Sequence, residues 1–141
     1  MVAFALFFRN TGLIDDSMYQ LLLVALGGAL GAAARYGASV WVMQLWEEPR
    51  VLATWGVNLV GCLLIGMLAP MLGRIGLADE LQFFFLVGFL GSLTTFSTFS
   101  LETVVLWQEG LGAAALLNAV GSVVLGVICV WIGLKLGRML V

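Results

Sequence analysis

The run Gly88-Phe-Leu-Gly-Ser-Leu-Thr-Thr-Phe-Ser-Thr-Phe-Ser-Leu-Glu102 carries seven hydroxyl or carboxylate side chains: Ser92, Thr94, Thr95, Ser97, Thr98, Ser100 and Glu102. It lies inside an apolar stretch long enough to cross a bilayer. Polar side chains at membrane depth are costly and mark a protein interior or a water-filled path. Hydroxyls can donate hydrogen bonds to an anion. Phe96 and Phe99, three residues apart, share a helix face and can present the positive edges of their rings. Asn58, in the preceding apolar stretch, adds amide donors. Such a set offers several weak, mostly uncharged sites, as conduction requires, and suits a small, strongly hydrogen-bonding anion. The competing reading is that the rings are filler and the hydroxyls bond back to their own helix.

The chain is 62% hydrophobic and 10% charged, against about 25% charged in soluble domains. Mean hydropathy is +1.13. These values define a membrane protein. A net charge of −2 without a basic cluster argues against a nucleic-acid partner. The absence of histidine removes the commonest general base and metal ligand, so an enzyme is not expected. Cys62 and Cys129 are far apart in apolar runs and read as packing residues rather than zinc ligands.

Four stretches reach the roughly 20 residues that a helical crossing needs: residues 19–45, 51–72, 81–107 and 111–136. The predicted fold is therefore all-α and integral to the membrane, with both termini on one side. Residues 1–18 read as a peripheral, partly disordered extension and 19–141 as the transmembrane domain. Trp41, Trp46, Trp55 and Trp107 fall near span ends, as interfacial anchors do. Arg9, Arg74, Lys135 and Arg138 lie on the side of the termini and Arg50 on the other, a bias that favours cytoplasmic termini and leaves dual insertion open.

Within the third span, Gly88, Gly91 and the β-branched Thr94, Thr95 and Thr98 weaken the helix. A break is expected near Ser92–Thr95, where freed carbonyls can coordinate a cation. Gly27 with Gly31, and Gly133 with Gly137, form small-residue stripes that admit a neighbouring helix. Asn58, Cys62 and Gly66 share one face of the second span, and Asn118, Ser122 and Gly126 share one face of the fourth. Asn58, Asn118 and Ser122 can serve the polar path or tie helices together. Arg35 lies on the Gly27–Gly31 stripe, and Glu102 is the acid placed well inside a span. They form a structural pair, or Arg35 supplies positive potential to a vestibule. Four short helices enclose too little room for a path, so two subunits are expected to share one.

The run Gly88 to Glu102, with Asn58-Leu-Val-Gly61 and Gly27-Gly-Ala-Leu-Gly31-Ala-Ala-Ala-Arg35, resembles the Fluc (CrcB) fluoride channels from about Met18 to the C-terminus. The resemblance implies an antiparallel, dual-topology homodimer in a cell inner or plasma membrane. It implies passive, selective export of fluoride that relieves its toxicity, through two pores between the subunits. Phe96, Phe99, Asn58, Ser97 and Thr98 would line the pore. Asn118 and Ser122 would form a polar track, and Glu102 would lie near the end of the path. Arg35 would match the first-helix arginine of the family. Carbonyls of Gly91 and Thr94 from both subunits would hold a structural Na⁺ on the two-fold axis. Ser92 stands where the family commonly has glycine. A proton-coupled small multidrug exporter is the alternative of similar size. It needs an acid in its first helix, where this chain has no Asp or Glu from Leu21 to Trp46 and carries Arg35. A non-transporting adaptor, the third class, would leave the polar third span without a purpose.

Overall fold

The computed structural model describes residues 14–45, 50–73 and 78–141. Arg9, Trp46, Arg74 and the extension up to residue 13 lie outside the described residues. Helix α1 spans Ile14–Leu45 and α2 spans Arg50–Leu72. The third crossing is composite. A short α3 (Ala78–Leu81) runs into a π-helical segment, Gln82–Leu90, then α4 (Gly91–Leu93). After a break comes α5 (Phe96–Gln108), and α6 (Gly112–Met139) completes the chain. Among the described residues, four helical stretches are long and apolar enough to cross a membrane: Ser17–Leu45, Val51–Leu72, Asp79–Gln108 and Gly112–Met139. The shortest has 22 residues, about 33 Å at 1.5 Å per residue, which matches the hydrocarbon core.

The first helix begins at Ile14, before Tyr19, so the last residues of the expected extension are helical. The π-helical turn was not expected. In it the N–H of Gly91 bonds to the carbonyl of Leu86, five residues back. The turn after α5 is a glycine-terminated cap. Gly110 has φ +79°, its N–H bonds to Trp107 O at 3.1 Å, and Leu111 N–H bonds to Leu106 O at 3.0 Å. These two bonds satisfy the last carbonyls of α5 and turn the chain directly into α6.

The helices pack as two pairs, α1 on the π-helical segment and α2 on α6. Glycines set both distances. A Cβ on Gly31 would run into the carbonyl oxygen of Phe89, and one on Gly27 into that of Phe84. A Cβ on Gly133 or Gly137 would strike the carbonyls of Leu63 or Met67. The small-residue stripes thus meet partners within the same chain. With no hydrophobic drive between helices in lipid, this close backbone contact is what holds them. The small core gathers Val57, Leu72, Leu86, Leu90 and Leu93 between the pairs. Leucines such as Leu26, Leu30 and Leu117 point outward, suited to acyl chains.

Gly31→Ala is expected to cost about 1–3 kcal/mol through overpacking. Gly37→Ala, where the added carbon meets nothing within 4 Å, should be neutral or stabilising by up to about 1 kcal/mol. Thermal melting in detergent measures both, and equal melting temperatures for the two variants would refute the contact.

Candidate functional site

The break falls at Thr94 and Thr95, both extended, with φ/ψ of −79°/153° and −144°/117°. The Thr94 N–H still reaches the Leu90 carbonyl at 3.1 Å, but the polar groups of Thr95 are met by a side chain instead. Asn58 on α2 clamps Thr95 from both sides. Its Oδ1 accepts the Thr95 N–H at 2.8 Å, and its Nδ2 donates to the Thr95 carbonyl at 3.1 Å. A primary amide has two N–H groups, so one remains for a ligand. In a continuous helix the Thr95 N–H would bond to the Gly91 carbonyl. Asn58 engages that N–H, which releases the Gly91 oxygen from the ladder. Gly61, one turn after Asn58 on α2, leaves room for the Thr94 methyl group.

Beyond the break the Thr95 hydroxyl caps α5, accepting the Thr98 N–H at 3.2 Å. It donates to Thr98 Oγ1 at 3.0 Å and lies 3.3 Å from Ser97 Oγ. Thr95 is buried, whereas Ser97 and Thr98 are exposed. Because Thr98 Oγ1 accepts from Thr95, its own proton is free to point elsewhere. The competing reading of the hydroxyls holds for two of them: Thr94 and Ser100 bond to the carbonyls four residues back, Leu90 and Phe96. Thr103, just beyond the run, does the same with Phe99.

A cavity of about 310 Å³ opens beside the break. Asn58, Gly91, Thr94, Phe96, Phe99 and Ser122 line it, so six of the expected site residues converge on one space. The rings of Phe96 and Phe99 lie 5.4 Å apart at 44°. Phe96 is 78% exposed at the mouth of this mostly apolar cavity. Ser97 and Thr98 join the group through the Thr95 cap and do not line the cavity.

The other expected residues sit further back. Asn118 is 2% exposed. Its Nδ2 donates to Thr103 Oγ1 at 2.9 Å and to the Phe99 carbonyl at 3.5 Å. Its Oδ1 accepts the indole N–H of Trp55 at 2.6 Å and the Ser122 hydroxyl at 3.4 Å. Asn118 therefore ties α2, α5 and α6 together rather than facing the cavity. Glu102 accepts the hydroxyl proton of Thr54 at 2.7 Å. Arg35 is half-buried on α1, outside the cavity lining, and its carbonyl accepts the Ser39 hydroxyl at 3.0 Å.

Three contributors were missed in the sequence. Thr54 was visible as the residue one turn before Asn58 on the same face. Thr103 is one turn after Phe99. Trp55 was expected as an interfacial anchor, but its indole turns inward against Gly121, where a Cβ would lie 2.7 Å from the ring. Trp41 and Trp107 are exposed, as anchors are.

Among the described residues no cluster of three His, Cys, Asp or Glu side chains can hold a metal ion. A cation at the break would have to rely on backbone oxygens. The released Gly91 carbonyl is of the right kind for a hard monovalent ion.

Fold and site together define a multi-pass helical membrane protein with an uncharged, mostly apolar cavity that carries a few polar groups at a broken span. The family model described as "CrcB-like protein, Camphor Resistance (CrcB)" matches residues 22–134, and the chain belongs to that family. A protein of Methylobacillus flagellatus is 44% identical over 126 residues, covering 86% of this chain and 97% of its own length. One of Paracoccus denitrificans is 47% identical over 120 residues, covering 85% and 95%. One of Salinibacter ruber is 47% identical over 119 residues, covering 82% and 87%. All three carry the name fluoride-specific ion channel FluC.

Proposed function

We propose that this chain forms a fluoride-selective channel, not an enzyme, that lets F⁻ leave the cell down its electrochemical gradient. The observation that carries the reading is the convergence of Asn58, Phe96, Phe99 and Ser122 on one cavity at the break. These groups replace parts of an anion's hydration shell with weak donors: one amide N–H, a hydroxyl and two ring edges. Among the described residues no cationic side chain lines the cavity, so an ion can enter without being trapped. The family relatives' names point to fluoride as the ion. Expression in a bacterium stripped of its own fluoride exporters tests this reading. The chain should restore growth in fluoride, and no rescue despite membrane insertion would contradict it.

The functional unit in this reading is an antiparallel homodimer in the inner or plasma membrane. Exposed Phe96 and the open cavity are then completed by the second subunit. Ser97 and Thr98 extend the lining, Asn118 and Glu102 support its walls, and Arg35 adds positive potential at a vestibule. Gly91 and Thr94 carbonyls from both subunits would hold a structural Na⁺, whose contribution there would be electrostatic. Replacing Na⁺ with N-methylglucamine, too large for such a cage, should silence the channel. Undiminished flux without Na⁺ would remove the cation from the account.

A further inference from the structure

Among the described residues, Trp55 is the one large side chain whose polar atom reaches the hydrogen-bond network around Asn118 from outside the cavity lining. Two independent features seat it. Its ring rests where Gly121 has no side chain, and its indole N–H meets Asn118 Oδ1 at 2.6 Å. An indole N–H can only donate, and the Phe99 carbonyl can only accept. Asn118, between them, is held with its oxygen toward Trp55 and its NH₂ toward Phe99 and Thr103.

The consequence falls on Ser122, which lines the cavity and is the second donor to the same oxygen. Its distance of 3.4 Å lies outside the usual 2.5–3.0 Å for an O–H···O bond. The short bond from Trp55 takes one of the two lone pairs of the buried oxygen, and Ser122 is only loosely tied to the other. We propose that Trp55 is a positioning residue for the ion path: by fixing the orientation of Asn118 and taking one lone pair of its oxygen, it leaves the Ser122 hydroxyl proton loosely held and available to an anion in the cavity. The inference rests on the channel reading above and assigns a role to a residue that touches no ion. Without the indole donor, the buried Asn118 oxygen would need a replacement, because an unsatisfied buried acceptor is costly. Ser122 is the donor within reach. Its proton would turn inward, and the cavity would meet the ion with an oxygen lone pair.

The test replaces Trp55 with 3-benzothienylalanine, which keeps the shape of the ring and lacks the N–H, alongside Trp55→Phe, Ser122→Ala and the combinations. Fluoride flux per reconstituted dimer is measured across fluoride concentrations. The isostere should lower flux about tenfold and raise the half-saturating fluoride concentration while dimer assembly is unchanged. Ser122→Ala should give a similar loss, and the combination should lose no more than Ser122→Ala alone. Wild-type flux in the isostere, or losses that multiply in the combination, would overturn the proposal. So would failure of both Trp55 variants to assemble, since Trp55 would then be a structural anchor. A wild-type protein that conducts no fluoride would instead overturn the channel reading and this inference with it.

Discussion

Asn58→Asp is expected to abolish fluoride flux. The amide of Asn58 does two things that a carboxylate cannot combine. It accepts from the Thr95 N–H and donates to the Thr95 carbonyl. Aspartate keeps the first bond and sets an oxygen against the carbonyl in place of the second. It also puts a negative charge on the cavity wall. At about 5 Å and an effective dielectric near 20, like charges repel by roughly 3 kcal/mol, about two-hundredfold in ion occupancy. Asn58→Ala separates the effects. It removes the clamp without adding charge, so the melting temperature should fall as the Thr95 groups lose their partners. Flux from Asn58→Asp within a factor of two of wild type would show that the ion does not pass this wall.

The second large effect is expected from Phe96→Ile and Phe99→Ile. Both rings border the cavity, and Phe96 is mostly exposed in the single chain. Isoleucine keeps the bulk and apolarity but has no electropositive ring edge. A weak C–H donor contact is worth about 0.5–1 kcal/mol, and an ionic acceptor roughly doubles that. Each ring then contributes about 1–2 kcal/mol, so each variant should lose roughly tenfold in flux and the double variant about a hundredfold. Gel filtration should show unchanged assembly. Normal flux in both variants would make the rings packing residues only.

The membrane fold was legible because its signal is length and apolarity. All four spans were found, and their ends moved by a few residues, most at Ile14. The break was legible for a different reason. Gly88, Gly91 and the threonines lower helix stability together, and the chain departs from helix at Thr94 and Thr95. The π-helical turn was not legible. The run Gln82–Leu90, apolar after its first residue, carries no mark that separates bonding five residues back from bonding four. Glycine stripes announced close packing but not their partners, since Gly31 against Phe89 and Gly133 against Leu63 are relations of tertiary structure. Trp55 was misread because tryptophan near a span end is usually interfacial. What turns it inward is a missing side chain on another helix, at Gly121. The polar residues were recognised as a set, but their division of labour was not. Asn58 grips the backbone, Ser122 faces the cavity, and Asn118 supports it from behind.

Fluoride efflux from proteoliposomes, followed with a fluoride electrode and with chloride measured in parallel, tests the central claim most directly. Rapid loss of F⁻ down its own gradient, with Cl⁻ retained, is the result the cavity of weak donors predicts. Retention of F⁻ by vesicles that contain well-assembled protein, or equal loss of both ions, would contradict a fluoride-selective channel.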